Sequence, residues 1–283
     1  MNIAQLKVGS FPIQLQQIPQ PPEKLWLRGA LPPPETKFLA VVGSRALTTY
    51  GREACEYLVG GLAGYPISIV SGLALGADAC AHRAALDAGL HTIAIPASGL
   101  ADEAIGPRSN FGLAMDILSA GGMLVSEHEP MYQPHKGDFP ARNRLMVGLA
   151  HAVLVIEAGE RSGTLITARL TADYNRELLC VPHRIGDPHS AAAHIFLRLG
   201  ATLAAEPAHI LEALGLEQHK AAVGALANLS PSEQLVLDLL IEPLSRDDVI
   251  RQAKLPPHET LSILGTLELK GVLKERFGLW RRI

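Results

Sequence analysis

The six residues Phe139-Pro140-Ala141-Arg142-Asn143-Arg144 carry one ring, two guanidiniums and one amide, and Lys136 stands three positions before them. An aromatic among cations is the composition of a site for single-stranded nucleic acid. There, bases stack on the ring at about 1–3 kcal/mol each and the cations follow the backbone. The same residues also fit a loop in which Phe139 plugs the core and the arginines pair with Glu127 and Glu129. Spacing alone leaves these two readings level. Asn143 brings both a donor and an acceptor to either.

Three other clusters combine small residues with polar groups. Gly43-Ser44-Arg45 puts a glycine, a hydroxyl and a guanidinium on one strand-to-helix turn, where free helix N–H groups and an arginine fork suit phosphate. Its plainer reading is a tight turn with a solvated arginine. The turn is not GxGxxG and no acidic residue ends the next strand, so a nicotinamide dinucleotide site is not expected. Ser71-Gly72 repeats the pattern, with Gly76 near the following helix start. Asp78 and His82, four apart, offer either an acid/base pair or an i,i+4 hydrogen bond that anchors the helix; the spacing favours the hydrogen bond. Ser162-Gly163-Thr164 precedes a helix and reads as an anion site or as plain N-capping. The 11 histidines form no HxH or HExxH spacing and the three cysteines no CxxC pair, so neither a metal nor another cofactor is expected.

These clusters need a scaffold that brings strand ends together, and the chain alternates accordingly. The apolar runs FLAVVGS, PISIVSG, LHTIAIPA, MLVSE, HAVLVIEAG and RELLCVPH read as six buried strands. Between them lie the helical patterns YGREACEYLVGGLAG, GADACAHRAALDAG, NFGLAMDILSAGG, RNRLMVGLA and SGTLITARLTADYN, several closed by glycine. The expected fold is α/β: a Rossmann-like, doubly wound, mostly parallel sheet with helices on both faces. Every cluster above then sits at the carboxyl end of a strand, where such sheets bind ligands. The FPARNR segment is expected as a loop leading into the short helix.

Residues 1–36, rich in proline, read as an extended arm with a short strand at Leu25–Arg28 lying over the core domain, which spans 37–216. Residues 217–229 read as a linker. Residues 230–283 then open on Ser230-Pro231-Ser232-Glu233, a capping box with proline first in the helix. Two further helical patterns and a hairpin make a winged helix. Its tail carries Lys270, Lys274, Arg276, Arg281 and Arg282 against Glu275, which suits DNA; Asp247, Asp248 and Glu259 on its helices suit protein docking equally.

The whole chain is 283 residues long, 48% hydrophobic, with a formal charge of −3. That supports a large core with a small second domain and no overall basic field. No apolar run reaches the ~18 residues of a membrane span, the first residues lack the basic-then-apolar layout of a signal peptide, and the cysteines read as reduced core residues. A cytoplasmic protein is expected.

Assembled in order, VVGSR, SGLALGADACAHRAAL, LVSEHEP, FPARNR, LVIEAGERSGTLITA and LELKGVL resemble the DprA (Smf) family of DNA-processing proteins, from about residue 11 to the C-terminus. The resemblance implies a non-enzymatic protein that binds single-stranded DNA, forms a homodimer and loads RecA recombinase on strands entering during natural transformation. It implies that Arg45, Lys136, Phe139, Arg142, Asn143 and Arg144 form the DNA pocket, with Ser44, Ser71 and Gly72 facing it and Ser162, Gly163 and Thr164 contributing. The chain departs from the family at GLADEAIGPRSN, which lacks a Tyr-Pro pair, at Val-Pro-His in place of Val-Pro-Gly, and at SAAAH in place of a Gly-x-Asn segment. The N-terminal helical domain of many relatives is expected to be missing. The alternatives are a phosphoribohydrolase-like enzyme that uses Glu157, although the Pro-Gly-Gly-x-Gly-Thr loop is absent, and a nucleotide sensor signalling through the winged helix.

Overall fold

The computed structural model describes residues 2–7, 12–159, 163–188, 191–217, 229–276 and 278–282. The chain divides into two compact units, Met1–Glu217 and Gln218–Ile283. Most of the expected linker, residues 218–228, lies outside the described residues.

The larger unit is built on a nine-stranded sheet: β1 (Ala4–Lys7), β2 (Lys24–Gly29), β3 (Lys37–Val42), β4 (Ile67–Ser71), β5 (His91–Ala94), β6 (Met123–Ser126), β7 (Ala152–Val155), β8 (Glu177–Cys180) and β9 (Thr202–Leu203), in the spatial order β1-β2-β6-β5-β4-β3-β7-β8-β9. The strands from β3 to β9 are parallel to their neighbours, whereas β2 runs antiparallel to β6 and β1 antiparallel to β2. The strand of the proline-rich arm pairs with β6 and extends the sheet, while Leu15 and Ile18 of the same arm pack over the sheet face in one core with Phe38 and Ile93. Leu25 and Leu27 point into the core on alternate positions, which fixes the register.

Alternation along the strands divides the apolar side chains between two faces. From β3, Phe38, Ala40 and Val42 join one core with residues of α1 (Ile13–Gln16), α5 (Asp138–Leu149), α6 (Thr164–Asp173) and α7 (Ala191–Arg198). Leu39 and Val41 join the opposite core with α2 (Thr49–Gly60), α3 (Ala77–Asp87) and α8 (Pro207–Ala213). A third cluster holds α4 (Phe111–Ser119) against β5 and β6. Burying each such leucine or isoleucine contributes roughly 1.5–3 kcal/mol. The strand order reverses between β3 and β7, and that reversal opens a crevice above their carboxyl ends.

The smaller unit packs α9 (Pro231–Leu239), α10 (Arg246–Ala253) and α11 (Pro257–Leu269) around Val236, Val249, Leu264 and Trp280. Its three-stranded antiparallel sheet orders β10 (Leu244–Ser245), β12 (Leu279–Arg282) and β11 (Leu273–Arg276). Both halves of the capping box form: Ser230 accepts from the Glu233 N–H and Glu233 accepts from the Ser230 N–H.

Candidate functional site

Two strand ends and two helix starts meet at the β3/β7 reversal around a cavity of about 750 Å³. The turn after β3 contributes Gly43, Ser44 and Arg45. It is held down by Gly76, whose φ of +75° suits glycine, and by the Ala77 N–H, which donates to the Ser44 carbonyl at 3.0 Å. A Cβ on Gly76 would fall 2.2 Å from that same carbonyl oxygen. The opposite wall is α6, with Gly163, Ile166 and Thr167.

The third wall is the first half of α5, and here the structure corrects a sequence expectation. The helix starts at Asp138, so Phe139 sits in its first turn and not on a loop. Proline at position 140 is compatible with this, because the first-turn N–H groups have no helical acceptor. Phe139, Arg142, Asn143 and Met146 then fall at i, i+3, i+4 and i+7, one helical face, and all four line the cavity. The Arg45 guanidinium lies 5.1 Å from the Phe139 ring centroid, a cation–π contact. Asn143 Nδ2 donates to Thr167 Oγ1 at 3.2 Å and ties two walls together. Lys136 is exposed at the rim, and neither it nor Arg45 is paired with a carboxylate among the described residues.

The two arginines of the opening cluster part company. Arg142 lines the cavity but is buried. It donates to the Ile95 carbonyl through a short contact and covers Gly72 so closely that a Cβ there would meet the guanidinium. Asp78 faces this guanidinium from a buried position and accepts from the N–H groups of Gly72 and Ala74. Burial raises the Asp78 carboxyl above its ordinary value, against the lowering effect of Arg142, and burial likewise lowers Arg142. Arg142 is thus a strut between the cavity floor and β5. Arg144, two residues on and about 200° round the helix, turns away from the cavity. It pairs with Glu127 and donates to the Gln20 carbonyl at 2.8 Å, while Glu129 pairs with Lys24.

Three further expectations are corrected. Ser71 does not face the cavity: its hydroxyl is buried and donates to the Val41 carbonyl at 2.7 Å. Gly72 is closed off by Arg142. Asp78 and His82 have separate partners: His82 Nδ1 lies 2.7 Å from Thr92 Oγ1, whose own proton goes to the Ile69 carbonyl. Burial and the charge of Arg142 push His82 down to about 3, so it stays neutral. Ser162 lies outside the described residues, and Thr164 is the first residue of α6. Thr167, one turn beyond Thr164 in the same SGTLITA run, is a further cavity residue that no motif in the sequence marks. Asp78, expected in a helix-anchoring hydrogen bond, also lines the cavity.

Glu157 is not in the cavity either. It is buried and accepts from both the backbone N–H and the hydroxyl of Thr48, at the start of α2. Among the described residues no group of three or more His, Cys, Asp or Glu could hold a metal ion, and no helix is long and apolar enough to cross a membrane. In the smaller unit, Lys270 pairs with Glu233 at 2.6 Å, and Arg282 donates to the Leu237 carbonyl and to Asp238.

With that geometry in hand, residues 2–215 match the family described as DNA recombination-mediator protein A, and residues 220–278 match the DprA winged helix domain. The chain is 41% identical over 209 residues to Protein Smf of Escherichia coli, covering 74% of this chain and 55% of that protein. It is 38% identical over 193 residues to DNA processing protein DprA of Streptococcus pneumoniae, covering 68% and 67%. The chain thus spans little more than half of the first of these relatives. Among solved structures, DNA processing protein A from Streptococcus pneumoniae superposes with a TM-score of 0.70 at 34% identity, over 77% of this chain and 75% of that one. Its counterpart from Helicobacter pylori, described for its single-stranded DNA binding mode, gives 0.65 at 28%, over 75% and 95%.

Proposed function

The chain belongs to the DNA recombination-mediator protein A family, and from that premise we propose that it binds single-stranded DNA in the cavity at the β3/β7 reversal. The observation that carries this reading is the pairing of Arg45 with the Phe139 ring beside Lys136, two cations without a carboxylate partner among the described residues. A ring offers every base a stacking surface, and unpaired cations release counterions on meeting phosphate. Ser44, Gly163 and the Asn143–Thr167 pair supply polar contacts on the remaining walls. Arg142 supports the site from below, and Ser71, Gly72 and Arg144 act outside it.

The site binds without chemistry in this reading. The carboxylate an enzymatic alternative needs, Glu157, is committed to the start of α2, and Asp78 is committed to two backbone amides. From the family resemblance we also take transfer of the bound strand to RecA recombinase, association of two copies, and action in the cytoplasm.

The test is a titration of the full chain with a labelled strand of about 35 nucleotides and with its duplex, at two salt concentrations. Preferential binding to the strand is expected, with log affinity falling by about 0.7 per log unit of salt for each phosphate neutralised. Equal binding to duplex, or no dependence on salt, overturns the proposal.

A further inference from the structure

The segment between β6 and α5 holds a second group of rings that neither the fold nor the cavity requires. Tyr132 stacks on His128 with centroids 4.0 Å apart and planes 10° from parallel. His135 lies 6.0 Å beyond Tyr132, with its side chain 81% exposed, directly before Lys136 at the cavity rim. Met131, 60% exposed, borders the group.

The group is anchored at both ends. The Gly99 N–H donates to the Tyr132 carbonyl at 2.9 Å and the Ala101 N–H to the Pro130 carbonyl at 2.8 Å, so the loop is pinned to the turn after β5. The Tyr132 hydroxyl donates to Asp138 Oδ2 at 2.9 Å, and the His135 N–H donates to the same oxygen at 2.7 Å. Asp138 is the first residue of α5 and the neighbour of Phe139, so the rings are held in fixed relation to the cavity. Glu127 is paired with Arg144 and Glu129 with Lys24, which weakens their repulsion of phosphate, whereas Asp138 keeps its charge and serves as the anchor of the rings.

We propose that His128, Tyr132 and His135 form a stacking track for single-stranded DNA that continues from the cavity past Lys136. Successive bases leaving Phe139 meet pre-aligned rings whose ordering costs little on binding. This inference rests on the strand-binding reading of the cavity and extends its footprint.

Affinities of the full chain for an oligothymidine of about four nucleotides, enough for the cavity, and one of about twelve test it. Tyr132→Leu is expected to leave the short strand unchanged and to weaken the long one about tenfold. Tyr132→Phe keeps the ring, loses the bond to Asp138, and is expected to match the native chain on both lengths. In the native chain, a 5-iodouracil placed beyond the cavity-filling nucleotides is expected to crosslink to the peptide carrying Tyr132 or His128. Crosslinks only elsewhere overturn the proposal. So does a long strand indifferent to Tyr132→Leu, or equal weakening of both lengths by both variants, which marks a brace of α5. Failure of the native chain to bind either strand removes the parent reading and the track together.

Discussion

Two stretches of this chain look alike as sequence, the basic cluster around Phe139 and the basic tail from Lys270 to Arg282, and the fold treats them differently. At the cavity rim, Arg45 and Lys136 have no carboxylate partner among the described residues, and Arg45 rests on a ring. In the winged unit, Lys270 is spent on Glu233, and Arg282 on Asp238 and the Leu237 carbonyl. Charges counted along a sequence say where cations are; the pairing decides which of them can still attract a phosphate. The same lesson takes Arg142 and Arg144 out of the Phe139 cluster, since both serve the structure and neither points a free guanidinium at the cavity, which leaves Lys136 with Arg45 to meet phosphate.

The largest effect expected from this contrast concerns Arg142. Replacing it with alanine leaves Asp78 buried opposite no cation, at a cost of about 3–5 kcal/mol to the larger unit, read as a lower denaturant midpoint. Adding Asp78→Asn to the same chain should recover a substantial part of that loss. If Arg142 were instead a solvated DNA contact, the single variant would fold with native stability and only binding would suffer.

Acid should separate the two units next. His82 is buried and held to about 3, well below the ~6.5 of an unfolded histidine. Its contribution is complete above about pH 6.5 and is lost as the pH falls towards 3, by about 1.4 kcal/mol per pH unit. Glu233 is held below its ordinary value by hydrogen bonds from Lys270 and the Ser230 N–H. Its contribution is therefore kept until the pH drops below about 4.3. Melting followed between pH 6 and 5 should show the larger unit weakening first, and His82→Gln should flatten that slope. An unchanged slope would place the proton elsewhere.

The smallest effect on binding is expected in the wing. Lys270→Ala with Arg282→Ala should lower the melting temperature of the winged unit yet leave strand affinity within about twofold and the salt slope unchanged, because cations already paired release few counterions. A large loss of strand affinity would mean that these residues exchange their partners for phosphate.

Much of this was legible in the sequence. The six central strands announced themselves as short apolar runs ending in Gly, Ser or Pro, and the capping box at Ser230 was explicit. The edges of the sheet were not: β9 is two residues long, and β1 is four residues without a decisive pattern. The start of α5 was not legible: the FPARNR segment reads as a loop, whereas the helix begins at Asp138 and its first turn accommodates Pro140. With the helix begun at Asp138, the 200° between Arg142 and Arg144 follows from helical geometry, and one of them had to leave the cavity. The partners that fix their roles, Ile95 and Gln20, are 47 and 124 residues away in the chain. No local pattern carries contacts at that separation.

Strand binding at the β3/β7 reversal is carried by Arg45 and Lys136, two cations with no carboxylate partner among the described residues. Fluorescence anisotropy with a labelled single strand, comparing the native chain with an Arg45→Ala, Lys136→Ala double variant across salt concentrations, tests it most directly. A loss of at least about tenfold at low salt is expected, with a slope shallower by about 1.4, from two phosphate contacts at about 0.7 each. Native affinity and a native slope in a folded double variant would contradict it.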